Sequence, residues 1–360
     1  MMRVAFVHAG GRHLRGTDGP SDFFYGAREL ASRPGWKVDC LEVDADPADP
    51  MTGLIAGRLL GNLAPPRTSA DWIARTRRLL PKLGGYDVVV ATATEISFGL
   101  AIWKSLGLLR KPLIGIFLGA VSFPIGSELR RYLASSLFNR LNGILFADAE
   151  KAEIQNRFGI PDEQLTVCWF GTDEKFWVPP REGKNRSGIL SVGNDGRRDY
   201  ETLIKASRLM TEHEFTILTR FNPPDDLPDN VRWRCMSGPG QYVPLGELLP
   251  FYQSCQCLVV PLKESLQPSG QSVAMQAMMC GAPVVITKTQ GWWGSDVISD
   301  GRQVTLVRPE DPETLADAIR RSISHENDLS ARNALLAANW TASGFAERLG
   351  AVIERVHQAE

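Results

Sequence analysis

One stretch of the chain concentrates the residue types that could do chemistry. It reads Gln267-Pro268-Ser269-Gly270-Gln271-Ser272-Val273-Ala274-Met275-Gln276-Ala277-Met278-Met279-Cys280-Gly281-Ala282-Pro283-Val284-Val285. Physically this is a loop of small residues, then a helix, then a buried strand. Ser269 or Ser272 is placed to cap the helix, and Gly270 lets a ligand approach the backbone closely. The unpaired N–H groups and the dipole of a helix start form an anion site, for which a phosphate is the natural occupant. Gly281 ends the helix and Pro283 opens the strand. The same pattern also suits an ordinary capped helix. A second constellation, Asp44-Ala45-Asp46, follows a strand pattern and has a spacing that can hold a divalent metal. It lies inside an acidic, proline-bearing loop, so solvated carboxylates are the simpler reading. Trp292 and Trp293 also follow a strand, where they could stack on a ring or pack as core.

These residues need elements to position them, and the chain supplies a regular alternation. The spacing predicts strands over 4–9, 38–43, 88–91, 113–118 and 143–147. Between them it predicts helices over 22–32, 71–83, 97–106, 128–141 and 149–158. Asp87-Val88-Val89-Val90-Ala91 is the clearest strand; such continuous β-branched runs between helices mark parallel strands covered on both faces. The run Pro179-Pro180-Arg181-Glu182-Gly183-Lys184-Asn185-Arg186 reads as a linker. The alternation then restarts, with strands expected at 189–192, 215–219, 231–235, 257–260, 283–287 and 304–307. Helices are expected at 199–210, 245–253, 272–280 and 312–322, followed by a helical tail over 330–337 and 342–357. Two successive runs of this kind predict an α/β protein with two doubly wound parallel sheets facing a cleft, with ligands outside the carboxyl ends of the strands. The expected division is 1–177, 188–340 and a terminal helix over 341–360 that packs back on the first domain.

Composition excludes several classes. With 360 residues, 43% hydrophobic and 22% charged, the chain is neither collagenous nor broadly disordered. A net charge of −1 argues against a nucleic-acid binder held by a basic surface. No run of about 18 apolar residues is present to span a membrane, and the N-terminus reads as a strand, not a signal peptide. The six cysteines show no C-x-x-C pair and mostly adjoin apolar residues, so buried reduced thiols in a cytoplasmic protein are expected, without a zinc site. Charge is uneven: residues 51–157 hold 14 Lys/Arg against 7 Asp/Glu. Within them, 51–85 interleaves basic and apolar residues. It could lie on an anionic membrane at the inner face of the cell, or be a solvated helix face with an apolar side in the core.

Gln276-Ala277-Met278-Met279-Cys280-Gly281-Ala282-Pro283-Val284-Val285 resembles the E-A-M-A-x-G-x-P-V-V segment of the nucleotide-sugar glycosyltransferases with the GT-B fold, the group called family 4. Further segments are similar in the right order. Cys168 to Phe176 resembles N-G-V-D-x-x-x-F, and Leu190 to Ala206 resembles V-G-R…K-x-x-x-x-L-I-x-A. Asp300-Gly301 with Leu306 to Ile319 resembles D-G-x-x-G-x-L-V-x-P-x-D-P-x-x-L-A-x-A-I. The resemblance covers about 166–357 well. It covers the first half only through the βα pattern and Gly10-Gly11, which would open a glycine-rich loop towards the cleft. It implies two Rossmann-like domains, an acceptor side first and a donor side second.

The resemblance implies a glycosyltransferase that moves a sugar from a UDP- or GDP-sugar to a glycan or lipid-linked acceptor, with retention, as in polysaccharide biosynthesis. No cofactor beyond the nucleotide-sugar co-substrate and no metal are implied. Negative charge develops on the leaving diphosphate. Arg198, Arg197 and the amides around Ser269, Gly270, Gln271 and Ser272 suit that charge. Gln276 stands where the family holds the ribose with a Glu, and Pro268 where a Glu faces the transferred sugar. Gln276 keeps hydrogen-bonding capacity without charge, and Ser269, Gln271 or Glu264 could take over from the missing carboxylate. The family's Arg is Asn194 here, and the His after the fourth strand is absent from Gly115-Ile116-Phe117-Leu118-Gly119-Ala120. His8 or His13 could act on the acceptor, although no catalytic residue follows from these matches. The loss of both Glu residues motivates an alternative: a catalytically weak relative that binds a nucleotide-sugar or a partner.

Overall fold

A computed structural model describes residues 1–10, 19–43, 69–120, 126–181, 185–235, 245–294, 297–324 and 329–359. Two compact units emerge, each an all-parallel sheet of six strands flanked by helices.

The first unit contains β1 (Met2–His8), β2 (Trp36–Glu42), β3 (Val88–Ala91), β4 (Leu113–Ile116), β5 (Asn142–Leu145) and β6 (Leu165–Val167), in the order β2-β1-β3-β4-β5-β6. Its helices are α1 (Ala27–Ala31), α2 (Ala70–Leu83), α3 (Thr94–Ser105), α4 (Glu128–Phe138), α5 (Asp148–Phe158) and, from the chain's end, α11 (Ala342–Gln358). Val88, Val89, Val90 and Ala91 have no exposed surface, as expected of a central strand covered on both faces. Phe98, Phe117, Phe138 and Phe158 form a chain of ring contacts between the sheet and its helices.

The single helix expected over 22–32 is broken. A 3-10 turn at Asp22–Phe24 ends in Tyr25 and Gly26, both left-handed, before α1 begins. Packing explains the break. A Cβ on Gly26 would stand 2.9 Å from the Ala346 Cα of α11, so the chain turns where only glycine allows the close approach. Guanidinium groups tie α11 to this unit: Arg33 pairs with Glu354 at 3.1 Å, and Arg348 donates to the Trp169 carbonyl. Strand β6 is an addition to the expected set, three residues long and therefore short of a readable pattern.

The second unit, Thr172–Thr341, contains β7 (Ile189–Val192), β8 (Phe215–Thr219), β9 (Val231–Cys235), β10 (Cys257–Val260), β11 (Val284–Thr287) and β12 (Thr305–Val307). The order β12-β11-β10-β7-β8-β9 puts the topological switch point between β10 and β7. Its helices are α6 (Tyr200–Arg208), α7 (Leu249–Ser254), α8 (Gln271–Met279), α9 (Pro312–Ile323) and α10 (Ser330–Ala337). The helix expected over 245–253 is part 3-10 turn and part α7. Leu203, Ala206, Phe215, Ile217, Val259, Val285 and Ile319 lie in one buried cluster where α6 and α9 cover the sheet. Asp199 and Asp311 cap α6 and α9 by accepting from Thr202 and Thr314 N–H.

Of the basic segment, residues 69–85 are described. Ser69 caps α2, and Ile73, Ala74, Leu79 and Leu83 are buried, so the apolar side of this part is core. Arg75 pairs with Asp71 and Arg77 lies over the Trp103 ring. Residues 51–68, and the Asp44-Ala45-Asp46 motif, lie outside the described residues. Among the described residues no helix is long and apolar enough to cross a membrane. All six cysteines are free thiols; Cys168, Cys255, Cys257 and Cys280 are buried, Cys235 is half-buried and Cys40 is exposed.

Candidate functional site

At the carboxyl edge of the second sheet, the loops after β7, β10 and β11 are stitched together. The Asp199 N–H donates to the Pro261 carbonyl at 3.0 Å, and the Lys263 N–H to the Arg197 carbonyl at 2.9 Å. Arg198 and Leu262 thereby form an isolated antiparallel bridge. The Leu262 N–H donates to the Thr287 hydroxyl at the end of β11, at 3.0 Å. These bonds bring Arg197 and Arg198 to the switch point, where open α/β sheets hold ligands.

Arg198 is not a solvated loop residue. Its side chain is 3% exposed; Nε donates to the Val192 carbonyl at 3.1 Å and Nη1 pairs with Asp195 Oδ2 at 2.8 Å. Gly193 makes this possible: a Cβ there would stand 2.2 Å from Arg198 Nε. The Gly193 carbonyl accepts from the hydroxyls of Tyr200 and Thr219, each at 2.8 Å. Burial pushes the Tyr200 hydroxyl pKa up, so it stays a donor. Asp195 Oδ1 also accepts the Arg197 N–H, at 2.9 Å. Arg197 itself is half-buried. Asn194 turns to the neighbouring loop, where Oδ1 accepts the Arg220 N–H at 2.6 Å. Asp195 and Thr219 were not anticipated. The three-residue spacing of Asp195 and Arg198 is the signal that could have found the first.

The start of α8 departs from expectation in one respect. Neither Ser269 nor Ser272 caps it; the N-cap is Gly270, left-handed at φ 75°. The reason is steric: a Cβ on Gly270 would stand 2.4 Å from Val260 Cγ1, so the loop settles directly on the end of β10. The helix start is thus left open. Among the described residues nothing accepts from the N–H groups of Gln271, Ser272 or Val273. Ser269 Oγ and Gln271 Nε2 are buried without a hydrogen-bond partner, in residues 5% and 4% exposed. Orphaned buried groups of this kind are uncommon in native folds and call for an explanation.

Other candidates fall into supporting positions. Gln276 is 1% exposed and its Oε1 accepts from the Tyr252 hydroxyl at 3.2 Å; Tyr252 in turn packs edge-on against Trp177. Trp293 is core: 2% exposed, its Nε1 donating to the Ser269 carbonyl at 3.3 Å. Trp292, half-buried, tilts against it at 5.1 Å. Exposed Glu264 accepts the Gln290 N–H at 2.9 Å and braces two loops. Gly10 belongs to the first unit, just past β1; Gly11 and His13 lie outside the described residues. His8 is wholly buried, 3.0 Å from the Thr92 hydroxyl through Nδ1 and stacked on Phe6. Among the described residues, no three His, Cys, Asp or Glu side chains gather in a metal-binding group.

The order of the second sheet, with its switch point between β10 and β7, is that of an α/β unit of the GT-B type. Anabaena Alr3699/HepE in complex with UDP-glucose has the same fold, with a TM-score of 0.67 at 16% identity over 99% of this chain and 100% of that one. A glycosyltransferase from Rickettsia africae ESF-5 gives a TM-score of 0.67 at 11% identity, over 99% and 98%. Residues 188–325, within the second unit, match the family described as glycosyl transferases group 1. The D-inositol 3-phosphate glycosyltransferase of Paenarthrobacter aurescens (strain TC1) is 29% identical over 198 residues, which are 48% of this chain and 46% of that protein. The chain thus spans less than half the length of the curated relatives it matches.

Proposed function

We propose that the protein is a glycosyltransferase that moves a sugar from a nucleotide-diphosphate sugar to a hydroxyl of a glycan or lipid-linked acceptor. The observation that carries this reading is the open start of α8, in the same loop system as Arg198. The N–H groups of Gln271, Ser272 and Val273, with Arg198 and Arg197, form the cradle for the diphosphate. Gln276 serves the nucleoside. The UDP-glucose complex of Anabaena Alr3699/HepE supports a UDP donor; a GDP donor is the other arm of the test.

In the transfer, the bond between the anomeric carbon and the diphosphate oxygen breaks, and its electron pair leaves with the diphosphate. The acceptor oxygen bonds to the anomeric carbon, and its proton passes to the departing phosphate. Fixed donors aimed at that phosphate lower the barrier without reorganising, so the reading needs neither a metal nor a further cofactor. Retention of configuration is part of the proposal, supported by the family resemblance. Gly10 and Gly11 belong to it as the loop after β1. An anionic membrane surface held through residues 51–85 is also part of it, supported by the surplus of basic residues over 51–157.

Release of UDP or GDP on incubation with a panel of UDP- and GDP-sugars tests the proposal. No release and no binding of either diphosphate would overturn it. Pro268 and Gln276, uncharged where the family carries Glu, favour a second reading: a nucleotide-sugar binder with little turnover. Tight binding without release would select it.

A further inference from the structure

We infer that Asp195, a positioning residue for Arg198, biases the site against the product diphosphate and in favour of the donor. This rests on the nucleotide-sugar reading above. The turn that carries both residues is built from Asp195 outward. Asp195 Oδ1 accepts the Arg197 N–H at 2.9 Å and closes a local turn over Gly196, which is left-handed at φ 74°. The same carboxylate reaches one residue further, where Oδ2 pairs with Arg198 Nη1 at 2.8 Å.

The fold thus fixes the guanidinium through two of its nitrogens. The Val192 carbonyl takes Nε at 3.1 Å, and Asp195 takes Nη1. Nη2 makes no hydrogen bond among the described residues, so it is the nitrogen left to meet a ligand. A guanidinium whose side chain is 3% exposed needs a counter-charge, and Asp195 supplies it. The pair has no net charge. The Asp195 side chain is itself 28% exposed, so its carboxylate still acts on what arrives from solvent.

The electrostatic consequence falls unequally on donor and product. An anion on Nη2 stands one guanidinium away from the Asp195 carboxylate, inside the Debye length of about 10 Å at 0.1 M salt. A nucleotide sugar carries a single negative charge on each phosphate. The freed nucleoside diphosphate carries about one more at pH 7, because a terminal phosphate loses its second proton at about pH 6. Repulsion from Asp195 therefore weakens the product more than the donor. A carboxylate in an anion cradle works against tight binding alone. It suits a site that must also let the diphosphate go.

The test compares wild type with Asp195→Asn, which keeps an oxygen for the turn and removes the charge. Both are titrated calorimetrically with UDP and UDP-glucose, and with GDP and GDP-mannose, at about 50 mM and about 500 mM NaCl. Looser positioning of Arg198 alone lowers the affinity for donor and product by the same factor, so the quantity read is the ratio between them. In Asp195→Asn that ratio should shift toward the diphosphate by about three- to tenfold at the lower salt, and by less at the higher. An unchanged ratio would leave Asp195 a purely structural residue and overturn the inference, with the donor reading intact. A shift toward the nucleotide sugar, or a shift indifferent to salt, would also overturn it. Wild type that binds no nucleoside diphosphate would overturn both. Should Asp195→Asn fail to fold, Asp195→Ser, whose hydroxyl can still accept the Arg197 N–H, is read in the same way.

Discussion

At the carboxyl end of α8, Arg332 Nη1 donates to the Met279 carbonyl at 2.7 Å and Arg186 Nη2 to the Cys280 carbonyl at 2.7 Å. The same guanidinium groups collect the carbonyls of Trp177, Tyr252 and Cys255. At the amino end of the same helix, three N–H groups and two side-chain atoms donate to nothing among the described residues. Every helix begins life with unpaired groups at both ends. Here the fold uses two half-buried cations to finish one end and leaves the other open, in the loop system of a third, Arg198. Those cations also complement the negative pole of the dipole. The contrast lies within nine residues: the closed end holds α8 in place, and the open end keeps fixed donors for the proposed diphosphate.

Breaking the closed end should have the largest effect. Arg332→Ala leaves the Trp177 and Met279 carbonyls without their charged donor, a loss of about 3 kcal/mol. Urea denaturation should show that loss as a lower midpoint. The affinity of the remaining folded protein for UDP should be little changed, since the proposed diphosphate cradle is at the other end. A variant that keeps its midpoint would mean the closed end does not depend on this residue.

At the open end the effect should appear in binding instead. Arg198→Ala should weaken UDP or GDP binding by about 1.5–3 kcal/mol, the range for a charged hydrogen bond. It should leave the nucleosides uridine and guanosine nearly unaffected. Gln276→Ala should weaken nucleoside and diphosphate alike, by a smaller factor, and Gln276→Glu would show whether a charge is tolerated beside the Tyr252 hydroxyl. Equal diphosphate affinity in wild type and Arg198→Ala would remove Arg198 from the site.

What the amino-acid sequence made legible follows from which forces act locally. The inner strands β3, β7, β8 and β10 appear at their expected residues because a strand covered on both faces is largely apolar. The place of Arg198 was legible through its family resemblance, and its loop does reach the switch point. The break at Tyr25 and Gly26 was not, because it answers to Ala346, more than three hundred residues away. The capping of α8 was misjudged for a similar reason: Gly270, not a serine, meets Val260. The partner of Arg198 was missed because an exposed-looking Asp195 in a Gly-rich loop carries no apolar period. The orphaned state of Ser269 and Gln271 could not be read at all, since burial belongs to the folded chain and not to the residue.

The smallest expected effect probes the seal of the closed end and is silent at neutral pH. Cys255 and Cys280 both lie beside Arg186 there. Burial pushes the Cys255 thiol pKa up to about 12, and that of Cys168 in the first unit up to about 11, against an ordinary value of 9.0. The thiolate is the reactive form. A thiol reagent at pH 8 should therefore label Cys40 and Cys235 in the native protein and reach the other four only after unfolding. The linkage has a definite sign. Above pH 9 the unfolded chain loses these protons while the folded chain keeps them, so stability falls as pH rises from 9 towards 11 and 12. Below pH 9 the contribution is fully present. Arg332→Ala should sharpen the contrast by speeding the labelling of Cys255 and Cys280 at pH 8, while Ser269→Ala, at the open end, should not. Native labelling of all six cysteines in wild type would show that the end described as closed is open to solvent.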